Sequence, residues 1–196
     1  EVYINGQKVT THAGGYIPFV IDITDKVNYG EKNTIAVKID SRPDRNVAPG
    51  KDKPDFQYFG GIYGNSYITV TDELHITDAV EANETAGGGV FITAPEVAKD
   101  RATVKVKTHV ENEGKESKET TLLTEIVGES GEVVASQEDK VSIAGGEKKY
   151  FNQSLQVTNP RLWSPDTPEL YTVRSTVKAD GVVKDVVETT YGIRKV

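Results

Sequence analysis

Short apolar runs that alternate with period two, cut at regular intervals by Gly, Pro, Asn and Asp, constrain this chain more than any other feature. Over Thr103-Val104-Lys105-Val106-Lys107-Thr108-His109-Val110 the valines fall on one face and Lys or His on the other, as in a half-buried strand. Similar runs recur at residues 2–4, 34–39, 67–70, 90–93, 120–127, 140–143, 150–157, 171–177 and 182–189, and no stretch carries a convincing helical period. The fold class is therefore all-β, built of antiparallel layers.

Several turns can be typed. Asn5-Gly6 between Tyr3-Ile4 and Val9 predicts a two-residue type I′ hairpin, because both central positions need positive φ. Asp180-Gly181 between Val177 and Val182 predicts a second, and Gly145-Gly146 a third. The stretch from Ser41 to Phe59 carries Pro43, Pro49, Pro54 and Gly50, too Pro-rich for a central strand and too long for an idle connection.

At 196 residues the chain exceeds the roughly 100 to 150 of a typical domain, which predicts two modules. Nine of the fourteen Tyr and Phe residues precede residue 80, and the later part is Val/Thr/Glu/Lys alternation. The boundary is placed within Ala79 to Gly89, giving modules 1–80 and 81–196. The second has the size of an immunoglobulin-like sandwich. The first, with about five strands, falls short of an eight-stranded jelly roll, so its remaining strands are expected before Glu1.

Charge and composition exclude several classes. A net charge of −7, with no Lys/Arg cluster longer than two, disfavours a nucleic-acid partner. No apolar stretch approaches 18 residues and no charged-then-apolar leader opens the chain, so neither a membrane span nor an export signal is expected. Zero Cys removes disulfides, zinc thiolates and thiol nucleophiles, and leaves the compartment open. A chain that begins at Glu1 and holds no Met is expected to be a processed or excised piece.

The order of motifs resembles a known family. Val2-Tyr3-Ile4-Asn5-Gly6, His12-Ala13-Gly14-Gly15-Tyr16-Ile17-Pro18-Phe19, Asp22-Ile23-Thr24, Asn33-Thr34-Ile35-Ala36-Val37 and Gly60-Gly61-Ile62-Tyr63 resemble the sugar-binding jelly roll of glycoside hydrolase family 2. Asn159-Pro160-Arg161-Leu162-Trp163-Ser164-Pro165 with Pro168-Glu169-Leu170-Tyr171 is similar to the latter half of that family's immunoglobulin-like domain. Tyr191-Gly192-Ile193-Arg194-Lys195-Val196 is similar to the strand leading into its catalytic barrel. One departure stands out: Gly64 occupies the place where the family commonly has Arg, so that residue's contact with the barrel does not carry over.

The resemblance implies a β-galactosidase-like parent enzyme that cleaves β-glycosidic bonds with retention, using two carboxyl groups roughly 5 to 5.5 Å apart. Those groups belong to a barrel of about 250 further residues. This chain is accordingly expected to be inactive alone and to hold no catalytic residue, its parent supplying the barrel and the N-terminal jelly-roll strands. A periplasmic or secreted setting is favoured over the cytoplasm, and oligomerisation stays open.

In the β-galactosidase branch an Asp about six residues before the Gly-Ile-Tyr motif contacts sugar hydroxyls, with an associated sodium ion in some members. The resemblance gives that place to Asp55, six before Gly61; no other cofactor is expected. A carboxylate accepting two hydroxyl hydrogen bonds would favour one sugar epimer, whereas the plain reading is a turn Asp after Pro54. Asp52, Phe56 and Tyr58 are its weaker companions, as sugar contacts or as packing at the loop root. Arg42 and Arg45 read as packing or interface residues.

His12 reads as structural, because His75 and His109 are distant in sequence and no spacing suits a metal. Trp163 reads as packed at the end of the sandwich or against the barrel, with a glycan-stacking platform as the alternative. Gly87-Gly88-Gly89 precedes a strand, so it forms no phosphate cradle. The acidic run Glu111 to Glu119 reads as a solvated face. Two other functions compete: a free-standing carbohydrate-binding or adhesin-like protein, and a purely structural pair of β-sandwiches.

Overall fold

The computed structural model describes residues 1–14, 17–42, 44–47, 60–62 and 64–195. They form two compact units, Glu1–Thr69 and Val70–Val196, whose regular elements are almost all β-strands. The division thus falls about ten residues before the expected one. Its physical reason is a short strand, Leu74–Ile76, which is hydrogen-bonded into the second unit. Among the described residues no helix is long and apolar enough to cross a membrane.

The first unit holds a three-stranded antiparallel sheet of β1 (Val2–Ile4), β2 (Gln7–Thr10) and β3 (Ile35–Val37), in the order β2-β1-β3. Asn5 (φ 50°) and Gly6 (φ 83°) make the type I′ turn that the sequence predicts. Asn5 does more than turn the chain. Its Nδ2 donates to the Lys26 carbonyl (3.1 Å) and to Asn33 Oδ1 (2.8 Å), while its Oδ1 accepts from the Thr34 amide (3.0 Å). The hairpin is thereby tied to the segment that delivers β3. The run at 67–70, expected as a strand, is not one: Ile68 and Val70 stand in solvent with no ladder to join.

The second unit is a sandwich of two antiparallel sheets. Its strands are β4 (Leu74–Ile76), β5 (Val90–Val97), β6 (Arg101–Asn112), β7 (Lys118–Val127), β8 (Val133–Ile143), β9 (Glu147–Thr158), β10 (Tyr171–Ala179) and β11 (Val182–Tyr191). One sheet runs β11-β10-β7-β8; in the other, β6 pairs with β9 along one edge and with β4 and β5, end to end, along the other. Alternate residues point inward: Val104, Val106, Ile126, Leu155 and Val173 form one buried cluster, and Leu74, Val110, Leu122, Phe151 and Val177 another. Burial of such side chains supplies about 1.5 to 3 kcal/mol each before entropy is subtracted.

Details match an immunoglobulin-like domain. Tyr171, at the start of β10, is buried and its hydroxyl accepts from the Arg161 amide (2.8 Å) in the preceding connection, the arrangement of a tyrosine corner. Asp180 (φ 51°) and Gly181 (φ 74°) make the predicted β10–β11 hairpin. Pro95 cannot donate to the ladder, and the β5–β6 register shifts there, between Thr93 and Glu96.

Two expectations are corrected. Gly145-Gly146 is no hairpin, because β8 and β9 lie in different sheets; Gly145 passes so close to the Lys115 backbone that a Cβ would not fit. A single helical turn, α1 (Ala79–Ala82), also appears. Asp78 caps it by accepting from the Val80 and Glu81 amides, and Asn83 ends it in the left-handed region.

Candidate functional site

Asp52, Asp55, Phe56 and Tyr58, the four residues singled out from the sequence, lie outside the described residues. What flanks their segment is described. Ser41 and Gly60 meet: a Cβ on Gly60 would sit 2.6 Å from Ser41 Cβ, so only Gly allows the approach. At the entrance to the segment, Arg42 Nε donates to both carboxylate oxygens of Asp40 (2.9 and 3.1 Å), and Asp44 accepts from the Asn46 amide (2.7 Å). The guanidinium holds the Asp40 carboxyl far below the ordinary carboxylate range. Arg42 is exposed rather than packed, and its guanidinium pairs with Asp40 two residues away. His12 stacks on Phe19, with ring centroids 4.4 Å apart.

In the second unit, sheet register brings together residues that sequence spacing kept apart. His75 on β4 lies directly opposite Glu111 on β6, which lies opposite Lys148 on β9. Glu113 follows two residues on, past the end of the strand. Ligand atoms of His75, Glu111 and Glu113 lie within 4.8 Å of one another. They share a cavity of about 140 Å³ with Thr77, Asp78, Glu81 and Lys148. His75 Nδ1 faces the Asp72 carbonyl (3.0 Å); a carbonyl only accepts, so Nδ1 carries a proton and Nε2 is the ring nitrogen that could serve as a ligand. A His and two carboxylates are a donor set that zinc accepts. Electrostatics argues the other way, since Lys148 Nζ already neutralises Glu111 at 2.9 Å.

Beside this row lies a second histidine with a different task. His109 is 4% exposed, and its Nδ1 is 3.0 Å from Thr77 Oγ1. The Gly89 amide donates to that same Oγ1 (3.0 Å), which leaves the hydroxyl one proton to give to Nδ1 and one lone pair to accept from it. The backbone repeats the clasp: Thr77 donates to the His109 carbonyl, and His109 donates to the Gly89 carbonyl. Residues 77 to 89 thus leave the edge of β6 and rejoin it around one residue. Gly88 (φ 70°) and Gly89 (φ 57°) make the return, which is the structural use of the glycine run. The His109 ring stacks on Tyr150 (4.3 Å), and burial pushes its pKa below the usual value.

Trp163 is half-buried at the end of the sandwich. Its amide donates to the Ile193 carbonyl (2.8 Å), Gly192 passes beneath its side chain, and the Arg194 guanidinium lies 5.6 Å from the ring. With Ser164, Pro165 and Lys195 these residues line a shallow cavity of about 320 Å³. Asn112 organises the root of the acidic run: fully buried, it donates to the Glu116 and Ile143 carbonyls (2.8 and 3.0 Å) and accepts from the Gly114 amide (3.1 Å).

A retaining glycosidase needs one carboxyl held neutral by a raised pKa. Among the described residues, every carboxyl with a displaced pKa moves downward: Glu1, Asp22, Asp40, Asp72, Glu132 and Glu147. Hydrogen bonds and cations to the charged form cause each shift.

The profile of Glycosyl hydrolases family 2 matches residues 89–194, more than half of the chain. This chain belongs to that family. It is 35% identical over 202 residues to a β-glucuronidase of Formosa agariphila, covering 99% of this chain and 20% of that protein. It is 32% identical over 197 residues to a β-galactosidase of Thermoanaerobacter pseudethanolicus, covering 100% of this chain and 24% of the relative. The crystal structure of a putative β-galactosidase from Bacteroides fragilis superposes with a TM-score of 0.86 at 32% identity, over 99% of this chain and 28% of that one. The chain therefore spans about a fifth to a quarter of the family relatives it matches. Tyr171, Trp163 and the Asn159 to Tyr171 motif fall inside the family profile, whereas the loop bearing Asp55 precedes it.

Proposed function

We propose that this chain is a non-catalytic segment of a longer, β-galactosidase-like glycoside hydrolase, supplying one edge of the sugar pocket from its first unit and a spacer from its second. The observation that carries the reading is alignment of essentially the whole chain with only 20% and 24% of two glycosidases. The downward shift of every displaced carboxyl supports it, because none of those groups is suited to be the protonated acid. The rest of the pocket, the carboxylate pair and the strands completing the first unit reside on other polypeptide.

Within this reading Asp55 accepts hydrogen bonds from sugar hydroxyls, with a sodium ion beside it in the intact enzyme, and Asp52, Phe56 and Tyr58 complete that edge. The close approach of Ser41 and Gly60 supports the reading, since it holds together the two points from which the segment bearing these residues departs. The test has two arms. The 196-residue chain should leave nitrophenyl β-galactoside and β-glucuronide at the buffer rate; turnover would overturn the segment reading. In the full-length protein, Asp55→Ala should cost roughly 2 to 4 kcal/mol of transition-state stabilisation, and unchanged kcat/KM would return Asp55 to a turn role. Submillimolar galactose binding by the isolated chain would favour the carbohydrate-binding alternative.

A further inference from the structure

The buried residues of the sandwich fall into two clusters, with half-buried Val90 packed against both. Between them, each of four strands places one polar side chain on its inward face: Thr108 on β6, Thr124 on β7, Gln153 on β9 and Ser175 on β10, all 2% exposed or less. Each interrupts an apolar series. Thr108 lies between Val106 and Val110, Thr124 between Leu122 and Ile126, Gln153 between Phe151 and Leu155, and Ser175 between Val173 and Val177. The first residue of some pairs and the second of others belong to opposite clusters, so the four polar groups form one layer across the sandwich.

Register confirms the layer. Thr124 and Ser175 are direct cross-strand partners. Thr108 and Gln153 lie on the paired strands β6 and β9, one step diagonal to each other. Gln153 crosses between the sheets: its Nε2 donates to the Leu122 carbonyl on β7 (3.4 Å) and to the Gln137 carbonyl on β8 (3.2 Å). Two carbonyl acceptors fix which end of the amide is nitrogen, so Oε1 is the atom left to face the layer.

Thr108 Oγ1, Thr124 Oγ1, Ser175 Oγ and Gln153 Oε1 have no hydrogen-bond partner among protein groups. Three hydroxyl protons and one amide oxygen sealed from solvent carry the full cost of desolvation unless something small and polar joins them. Charge is absent from the layer, which disfavours an ion. A water molecule, with about three hydrogen bonds in such a setting, matches the mixture of donors and acceptors.

We propose that this layer is an internal water site: at least one long-lived water sits between the sheets, hydrogen-bonded to the Thr124, Ser175 and Thr108 hydroxyls and to Gln153 Oε1. It completes a polar bridge that begins with the Gln153 amide and links both sheets at one level, fixing their relative register. The site is independent of the proposed glycosidase role.

Water-to-protein cross-relaxation NMR on the 196-residue chain tests it. Cross peaks of the sign expected for a water held for longer than a nanosecond should appear at protons of Thr124 and Ser175. They should vanish in the triple variant Thr108→Val, Thr124→Val, Ser175→Ala while cross peaks elsewhere persist. A folded wild-type chain with no such water at the layer overturns the proposal, whether or not the variant folds. Retention of the peaks in a folded variant overturns the assignment to these hydroxyls.

Discussion

The two units start from the same period-two signal and end in opposite states of burial. In the second unit a sheet always has another sheet facing it, and side chains such as Val104, Leu122 and Val173 lose all contact with solvent. In the first unit Val2 and Ile4 are buried on β1, but Ile35 and Val37 on β3 stay exposed, as do Ile17, Tyr29, Ile62 and Ile68. Alternation makes a strand amphipathic; only a second layer turns that into a core. Among the described residues, the three-stranded sheet of strands three and four residues long has no such layer over it, and Ile35 and Val37 are left exposed. This agrees with the proposal that the parent enzyme completes the first unit.

The largest effect expected from this contrast lies in hydrogen exchange. Amides in the middle of β6 and β7 should exchange only through global unfolding, protected by a factor on the order of a thousand or more, whereas those of β1 to β3 should exchange with little protection. Equal protection in both units would break the comparison. So would resistance of residues 1–69 to a protease that leaves 70–196 intact.

Two asparagine clamps sharpen the same contrast. Asn112 is fully buried and holds three carbonyls and an amide together; Asn5 makes three side-chain bonds at an exposed position. Asn112→Ala leaves those groups without partners where water does not reach, and should destabilise the second unit by about 3 kcal/mol. Asn5→Ala should cost the chain about 1 kcal/mol or less, mostly through its left-handed φ. Urea unfolding followed by Trp163, the sole Trp and a residue of the second unit, reads the first effect directly. Similar losses from both variants would show that exposure is not what separates the units.

What the sequence revealed follows from whether the signal was local. The strands β6, β7, β10 and β11, and the turns at Asn5-Gly6 and Asp180-Gly181, were legible because periodicity and positive φ are properties of neighbouring residues. The strand expected at 67–70 failed because alternation does not specify a partner. Gly145-Gly146 looks like a hairpin, but Gly145 is required by close passage over Lys115, thirty residues away in sequence, and Gly146 is favoured by its positive φ of 73°. The juxtaposition of His75 with Glu111 depends on β4–β6 register and was invisible to spacing rules built for local motifs. Turn α1 carried a readable signal in Asp78 ahead of Ala79–Ala82, overridden by its short length. The sugar-edge residues Asp52, Asp55, Phe56 and Tyr58 rest on resemblance alone.

The close passage of Gly145 gives the next effect in size. Gly145→Ala forces a methyl group against the Lys115 backbone, which cannot yield as a flexible side chain would. A loss of about 2 kcal/mol is expected in the second unit, with no change in exchange rates within β1 to β3. A silent substitution would mean that the crossing from β8 to β9 is looser than the clasp by Asn112 implies.

The smallest effect is a pH dependence confined to the second unit. Burial is the main cause that lowers the His109 pKa, and Lys148 and Lys107 lower it too, while Glu84 and Glu111 oppose them. The unfolded chain, with an ordinary value of 6.5, takes up this proton before the folded chain does. Stability is therefore complete above about pH 7.5 and declines as pH falls through 6.5 toward the lowered folded value, at no more than about 1.4 kcal/mol per pH unit. Charging this buried ring costs desolvation at the point where Thr77 and Gly89 meet it, so residues 77 to 89 should loosen first. The carboxyls with lowered values contribute only at lower pH, as they protonate. Urea midpoints at pH 7.5, 6.5 and 5.5 should fall for the wild type and flatten for His109→Asn, whose amide stands near the place of Nδ1 and hydrogen-bonds Thr77 Oγ1 without titrating. An undiminished slope in that variant would assign the proton uptake to another group and remove His109 as the latch of this excursion.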